Sequence, residues 1–228
     1  MNNEFDGIIS QDPRMMPVFL LLDTSGSMST NGKIDALNSA VNTMIHTFAS
    51  ADTADVAIGL CVITFGCGGV KLHRPLSICN SEDSVDFQAD GMTPMGGAIS
   101  MAKSMIEDKS VVTSRSYRPT VVLVSDGMPN DEWATPLKAF KETGRSKKCF
   151  RMAMSIGADS GTDAYRVLEG FVSEESKVYF AKDANDIRSY FKFVTMSVTT
   201  RSVSQDPNKP GDTISNDPND YSEYEYDD

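Results

Sequence analysis

The sequence predicts an α/β fold: a doubly wound, mostly parallel central sheet with one antiparallel edge strand and helices on both faces. Three observations point there. Apolar runs of strand length alternate with stretches of helical period. The runs are continuous in Val, Leu, Ile and Phe, as strands covered on both faces are. One pair of runs is joined by a short glycine-rich segment, which makes that pair an antiparallel hairpin. At 228 residues, 40% apolar and 23% charged, the chain suits one such domain with tails. We expect an N-terminal extension over 1–14, the domain over 15–200 and an acidic tail over 201–228.

The elements follow in order. Pro17 to Asp23 reads as the first strand. Lys33 to Ala49 reads as a helix, with Ile34, Leu37, Val41, Met44, Ile45 and Phe48 on one face. Val56 to Phe65 is a second strand, and Val70 to Ile78 a third, joined to it through Gly66 to Gly69. Pro94 opens a helix carrying Ala98, Ile99, Met101, Ala102, Met105 and Ile106, after the loop Asp90-Gly91-Met92-Thr93. Thr120 to Ser125 is another buried strand. Asn130 or Asp131 caps a helix through Trp133, Leu137 and Phe140, which Gly144 stops. Cys149 to Ile156 is a strand, Thr162 to Leu168 a short helix and Lys177 to Phe180 the last strand. A final helix starts near Asp183 to Asp186 and runs to about Val198, with Ile187, Tyr190, Phe191 and Val194 on its inner face. From Ser202 onward the composition is too poor in aliphatics to order itself.

The net charge of −11 is uneven. Residues 201–228 hold eight acids against two bases, so the body is only mildly acidic. No basic cluster is present to neutralise phosphates, which argues against nucleic acid or an anionic membrane as partner. The first 15 residues lack the basic and apolar regions of a secretory signal, and no apolar stretch nears the ~20 residues that span a bilayer. A cytoplasmic setting is expected. Cys61, Cys67, Cys79 and Cys149 form no metal-binding pattern with His46 and His73 and read as small apolar residues. Cys67, in Gly66-Cys67-Gly68-Gly69, is the candidate for an exposed, reactive thiol.

Two buried strands end in aspartate. Asp23-Thr24-Ser25-Gly26-Ser27 follows Val18-Phe19-Leu20-Leu21-Leu22, and Asp126-Gly127 follows Thr120 to Ser125. Ligands of open α/β sheets bind at the carboxyl ends of their strands. Small hard divalent cations take oxygen ligands in near-octahedral geometry. In an extended turn, Ser25 and Ser27 point the same way and Gly26 lets the backbone bend between them. Thr93 and Asp126 are the candidates for the remaining oxygens.

This constellation resembles the metal-ion-dependent adhesion site of von Willebrand factor A domains: DxSxS, then a threonine in a later loop, then an aspartate after a further strand. Asp23, Ser25 and Ser27 match the first part, Thr93 in Gly91-Met92-Thr93-Pro94-Met95-Gly96 the second, and Asp126 in Ser125-Asp126-Gly127 the third. The resemblance covers about Met16 to Val198 and implies a Rossmann-like sheet. It also implies Mg2+ (or Mn2+ or Ca2+), with serine and threonine oxygens binding the metal directly and the aspartates directly or through water. Within the superfamily, residues 17–28, Asp126 to Trp133 and Tyr190 to Ser204 are similar to bacterial TerY-type proteins of tellurium resistance and kinase–phosphatase gene groups.

The function implied is a metal-dependent protein-interaction module. An ion held mostly by hydroxyls is poorly neutralised, so its open position favours an Asp or Glu of a partner. Met28, Met92, Met95 and Met128 fall around it and suit an adaptable rim, or else pack beneath the loops. The expected setting is a bacterial or phage stress-response or defence system, or one with kinase and phosphatase components. The alternative is a subunit coupling a MoxR or AAA+ ATPase to its target. Enzyme activity is not expected. A phosphotransferase of the haloacid-dehalogenase type needs a second acid where Ser25 stands, and His46 and His73 are badly placed to activate a serine. A metal-dependent phosphatase remains a third possibility. A flexible tail from Thr200 spans roughly 30 Å, enough to bring Glu223, Glu225, Asp227 or Asp228 to the metal as a competitor.

Overall fold

Alternate residues of the first strand, β1 (Arg14–Thr24), serve two different cores. Met16, Val18, Leu20 and Leu22 pack on one side of the sheet, and Phe19 and Leu21 on the other. That division is why the run is apolar without a break. The computed structural model describes residues 12–209 apart from 54, 67 and 175.

The sheet has six strands in the order β3-β2-β1-β4-β5-β6. They are β1, β2 (Val56–Gly66), β3 (Gly69–Ile78), β4 (Thr120–Ser125), β5 (Phe150–Ile156) and β6 (Val178–Ala181). Only β3 is antiparallel, and it lies at the edge as the hairpin requires. Helices α1 (Lys33–Ser50) and α5 (Ala184–Ser202) cover one face, where Leu37, Val41, Met44 and Phe48 meet Ile187, Tyr190, Phe191 and Val194. Helices α2 (Met95–Glu107), α3 (Ala134–Glu142) and α4 (Asp163–Phe171) cover the other, through Ile99, Ile106, Phe140 and Phe171.

Strand order reverses at β1, whose parallel neighbours are β2 on one side and β4 on the other. The crevice beyond the carboxyl ends of β1 and β4 therefore lies at the topological switch point. The long connection from β3 to α2 is pinned there by α1. The Asn38 side-chain amide donates to the Phe87 carbonyl at 3.0 Å and accepts from the Phe87 amide at 2.7 Å. Asn42, one turn later, does the same for Val85 at 3.0 and 2.8 Å. Two asparagines four residues apart thus serve as a strand partner for residues 85–87.

Two expectations are corrected by neighbouring contacts. Helix α3 is not capped by Asn130 or Asp131. It starts at Ala134, Glu132 accepts its Thr135 amide at 3.0 Å, and Trp133 precedes it. Nor does the last helix end near Val198. Helix α5 continues to Ser202 because Arg201 is buried and fully engaged. Its guanidinium donates to Thr120 Oγ1 at 2.7 Å, to the Arg118 carbonyl at 3.1 Å and twice to the Pro207 carbonyl, and it lies 4.2 Å from the Phe150 ring centre. Residues 203–209 thereby fold back onto the body, past Thr200. Residues 210–228, which hold the carboxylates proposed to reach the metal, lie outside the described residues, as do residues 1–11 of the N-terminal extension.

Cys61, Cys79 and Cys149 are buried and unpaired. Burial pushes their thiols up to about 12, 11 and 12, which removes thiolate chemistry at neutral pH. Cys67 lies outside the described residues. His46 is exposed on α1, and His73 packs edge-on against Phe87 with ring centres 4.8 Å apart. No helix among the described residues is long and apolar enough to cross a membrane.

The Asn38→Ala/Asn42→Ala double variant leaves four backbone groups without partners, and partial solvent access replaces some of those bonds. Urea unfolding should show a loss of about 1–3 kcal/mol. A second expectation concerns acid. Burial alone would raise Glu107, but amides of Arg145 and Ser146 and the Lys103 ammonium hold it at about 2, below its ordinary 4.5. A depressed folded pKa contributes stability above the unfolded value, lost as pH falls from about 4.5 through about 2. Melting temperature plotted against pH should fall less steeply across that window in Glu107→Gln than in wild type.

Candidate metal centre

Asp23, at the carboxyl end of β1, is fully buried. Its Oδ1 accepts the Ser25 amide at 2.8 Å and its Oδ2 the Ser125 hydroxyl at 2.6 Å. Burial nevertheless drives the Asp23 pKa up, opposed by these bonds and reinforced by the negative charge of Asp126. Two covered carboxylates side by side favour a cation between or beside them.

The loop after Asp23 is not extended throughout. Ser25 is extended, at φ −68° and ψ 168°, and the chain then winds into a 3-10 turn over Gly26–Ser29. Hydroxyls hold that turn: Ser29 donates to the Gly26 carbonyl at 2.7 Å and Thr30 to the Ser27 carbonyl at 3.0 Å. Gly26 has no left-handed backbone and a methyl there would meet only ordinary contacts, so it is not the hinge its position suggested. The tight winding brings the Ser25 and Ser27 hydroxyl oxygens to 3.0 Å from one another. Ser27 donates to Asp126 Oδ1 at 2.6 Å, and the Lys33 ammonium, at the first residue of α1, donates to Asp126 Oδ2 at 2.7 Å.

Thr93 stands on a loop tied to this cluster from two directions. The Gly26 amide donates to the Gly91 carbonyl at 3.1 Å and the Asp90 amide to the Thr24 carbonyl at 2.9 Å. On the other side Asn130 Oδ1 accepts the Thr93 amide at 3.0 Å, and the Asn130 amide donates to the Thr93 carbonyl at 3.1 Å. Asp131 Oδ1 and Oδ2 accept the Gly96 and Gly97 amides at 3.0 and 2.9 Å, a charged cap on α2. Asn130 and Asp131 therefore anchor the threonine loop rather than cap α3.

Asp23, Ser25, Ser27 and Asp126 thus form one connected hydrogen-bonded group, with the loop of Thr93 fastened beside it. Among the described residues no set of three or more His, Cys, Asp or Glu side chains is placed to hold a metal. Any ion here would rely on hydroxyl oxygens with the two aspartates, a hard, oxygen-only donor set. Sequence reasoning missed Lys33, Ser125, Asn130 and Asp131 as parts of the group. Lys33 left one signal: a positive charge in the first turn of a helix opposes the helix dipole and so calls for another partner. Of the four nearby methionines, Met28 and Met95 are buried in the cores, whereas Met92 and Met128 are 65% and 47% exposed and alone supply a rim.

Comparison with known proteins agrees with this architecture. Residues 18–128, just under half of the chain, match the family model of the von Willebrand factor type A domain. The pilus adhesin SpaC of Lactobacillus rhamnosus GG is similar in fold, with a TM-score of 0.66 and 15% identity over 84% of this chain and 31% of its own. Proximal thread matrix protein 1 of the mussel byssus gives 0.63 and 16% over 81% and 48%. The von Willebrand factor domain of the type V pili tip protein Mfa5 from Porphyromonas gingivalis gives 0.63 and 8% over 85% and 98%. The chain thus spans less than half the length of the first two. Among curated proteins no sequence matches it.

Gly96, in the first turn of α2 beside the threonine loop, allows a close backbone approach, since a Cβ there would lie 2.2 Å from the Glu132 carbonyl oxygen. Gly96→Ala must push α2 off the β4–α3 connection. A loss of about 1–3 kcal/mol in chemical denaturation is expected.

Proposed function

We propose that this domain is a metal-dependent protein-interaction module. Ser25, Ser27 and Thr93, with Asp23 and Asp126, would hold a divalent cation whose open position takes a carboxylate of a protein partner. One observation carries the reading: the 3.0 Å between the Ser25 and Ser27 oxygens. Neighbouring ligands on an octahedral ion with bonds of about 2.1 Å lie about 3 Å apart, whereas calcium's longer bonds call for about 3.4 Å. The Ser27 proton is already committed to Asp126, which leaves lone pairs of that oxygen for an ion. When bound, the ion supplies an electrophilic position for an anionic ligand and no covalent chemistry is needed.

The exposed Met92 and Met128 suit a partner with apolar residues beside its acid. The module's role is read as an adaptor in a TerY-type kinase–phosphatase or other stress-response system, without catalysis of its own. A cytoplasmic setting is in keeping with three unpaired cysteines. Service to a MoxR or AAA+ ATPase is the alternative.

Calorimetric titration of wild type with Mg2+ should give a saturable one-site isotherm, and the Asp23→Ala/Ser25→Ala variant at least 100-fold weaker binding. In pull-downs, a partner should be held by wild type in Mg2+ and released by EDTA. Equal retention by both proteins in both buffers would place recognition on another surface.

A further inference from the structure

The geometry points to Lys33 as the residue that makes the site select an anion. This rests on the metal-bridged reading above. Asn31 and Gly32 both have left-handed backbone, at φ 57° and 67°, and this double turn starts α1 where the Lys33 ammonium reaches Asp126. The Lys33 side chain is 17% exposed and that of Asp126 only 1%, so the pair is shielded from solvent screening. No contact within α1 explains a lysine there, and the helix dipole opposes it.

Its charge decides the balance of the cluster. Counted formally, two aspartates and the Lys33 ammonium that touches one of them sum to −1, and a divalent ion turns this to +1. Without Lys33 the loaded cluster would be neutral and an incoming carboxylate would gain far less. Asp131 is turned to the α2 amides, where the helix dipole offsets part of its charge, and Asp90 lies on an exposed loop, so neither touches the Lys33–Asp126 pair. The same ammonium opposes the metal. It holds Asp126 Oδ2 and repels a second cation, so Lys33 trades metal affinity for anion affinity. Lys33 is a positioning and specificity residue, acting through Asp126.

Lys33→Met removes the charge and keeps most of the stem; Lys33→Gln also keeps a hydrogen-bond donor for Asp126. Each is titrated with Mg2+ alone by calorimetry, then with acetate on the Mg2+-saturated protein by NMR shift changes. Both variants should bind Mg2+ at least tenfold tighter than wild type and acetate at least tenfold weaker. These opposite signs separate the role from a structural one, which would weaken both. Unchanged or weaker Mg2+ binding, or tighter Mg2+ binding with unchanged acetate affinity, would overturn the assignment and leave the metal-bridged module standing. Failure of both variants to fold would also overturn it, making Lys33 a structural tie. Folded wild type that binds no Mg2+ would sink the metal reading itself.

Discussion

The buried carboxylate of Asp23 is the constraint around which the rest is arranged. A charge removed from water at the end of a central strand must be met by donors or by a cation. Here the Ser25 amide and the Ser125 hydroxyl meet it, yet burial still keeps its pKa raised. Ser125 ends the neighbouring strand, so the register of β1 against β4 is what delivers the second donor. Leu22 pairs with Val124, and Asp23 and Ser125 follow as the next step on each strand. A slip of one residue would turn Asp23 into a core and leave the carboxylate with no partner.

The loops inherit their positions from that point. The Thr24 carbonyl and Gly26 amide fasten the loop of Thr93 to β1, and Asn130 fastens it to the chain leaving β4. Residues 85–87, which lead into it, are held by two asparagines of α1. Three separate segments of sequence are thereby locked about one edge of the sheet by hydrogen bonds between backbone groups and from asparagine side chains to backbone, before any ion is considered. Preformed geometry of this kind lowers the ordering cost of ligand binding.

Much of this was legible in the chain itself. Continuous apolar runs gave the covered strands, and the Gly66 to Gly69 hairpin gave the antiparallel edge. The order of the acid-ended strands gave the edge at which the polar cluster lies. What sequence could not give were contacts made by side chains across long separations. Asn130 and Asp131 look like caps for the helix that follows them, because local capping is the commonest use of such residues. Their partners are instead 35 or so positions earlier, at Thr93, Gly96 and Gly97. Arg201 looks like the start of a solvated tail, since nothing nearby in sequence announces the Phe150 ring and the Arg118 carbonyl that receive it.

That arginine has a consequence for how the domain can be joined to anything else. Thr120, which it contacts, begins β4, whereas Asp126 follows the other end of the same strand. The Pro207 carbonyl and the Asn208 side chain are clasped at this starting end. The polypeptide therefore departs from the pole opposite its polar cluster, with a strand of six residues, about 20 Å, between them. A tag or tether fused after Lys209 would therefore start at the end of the sheet away from the polar cluster.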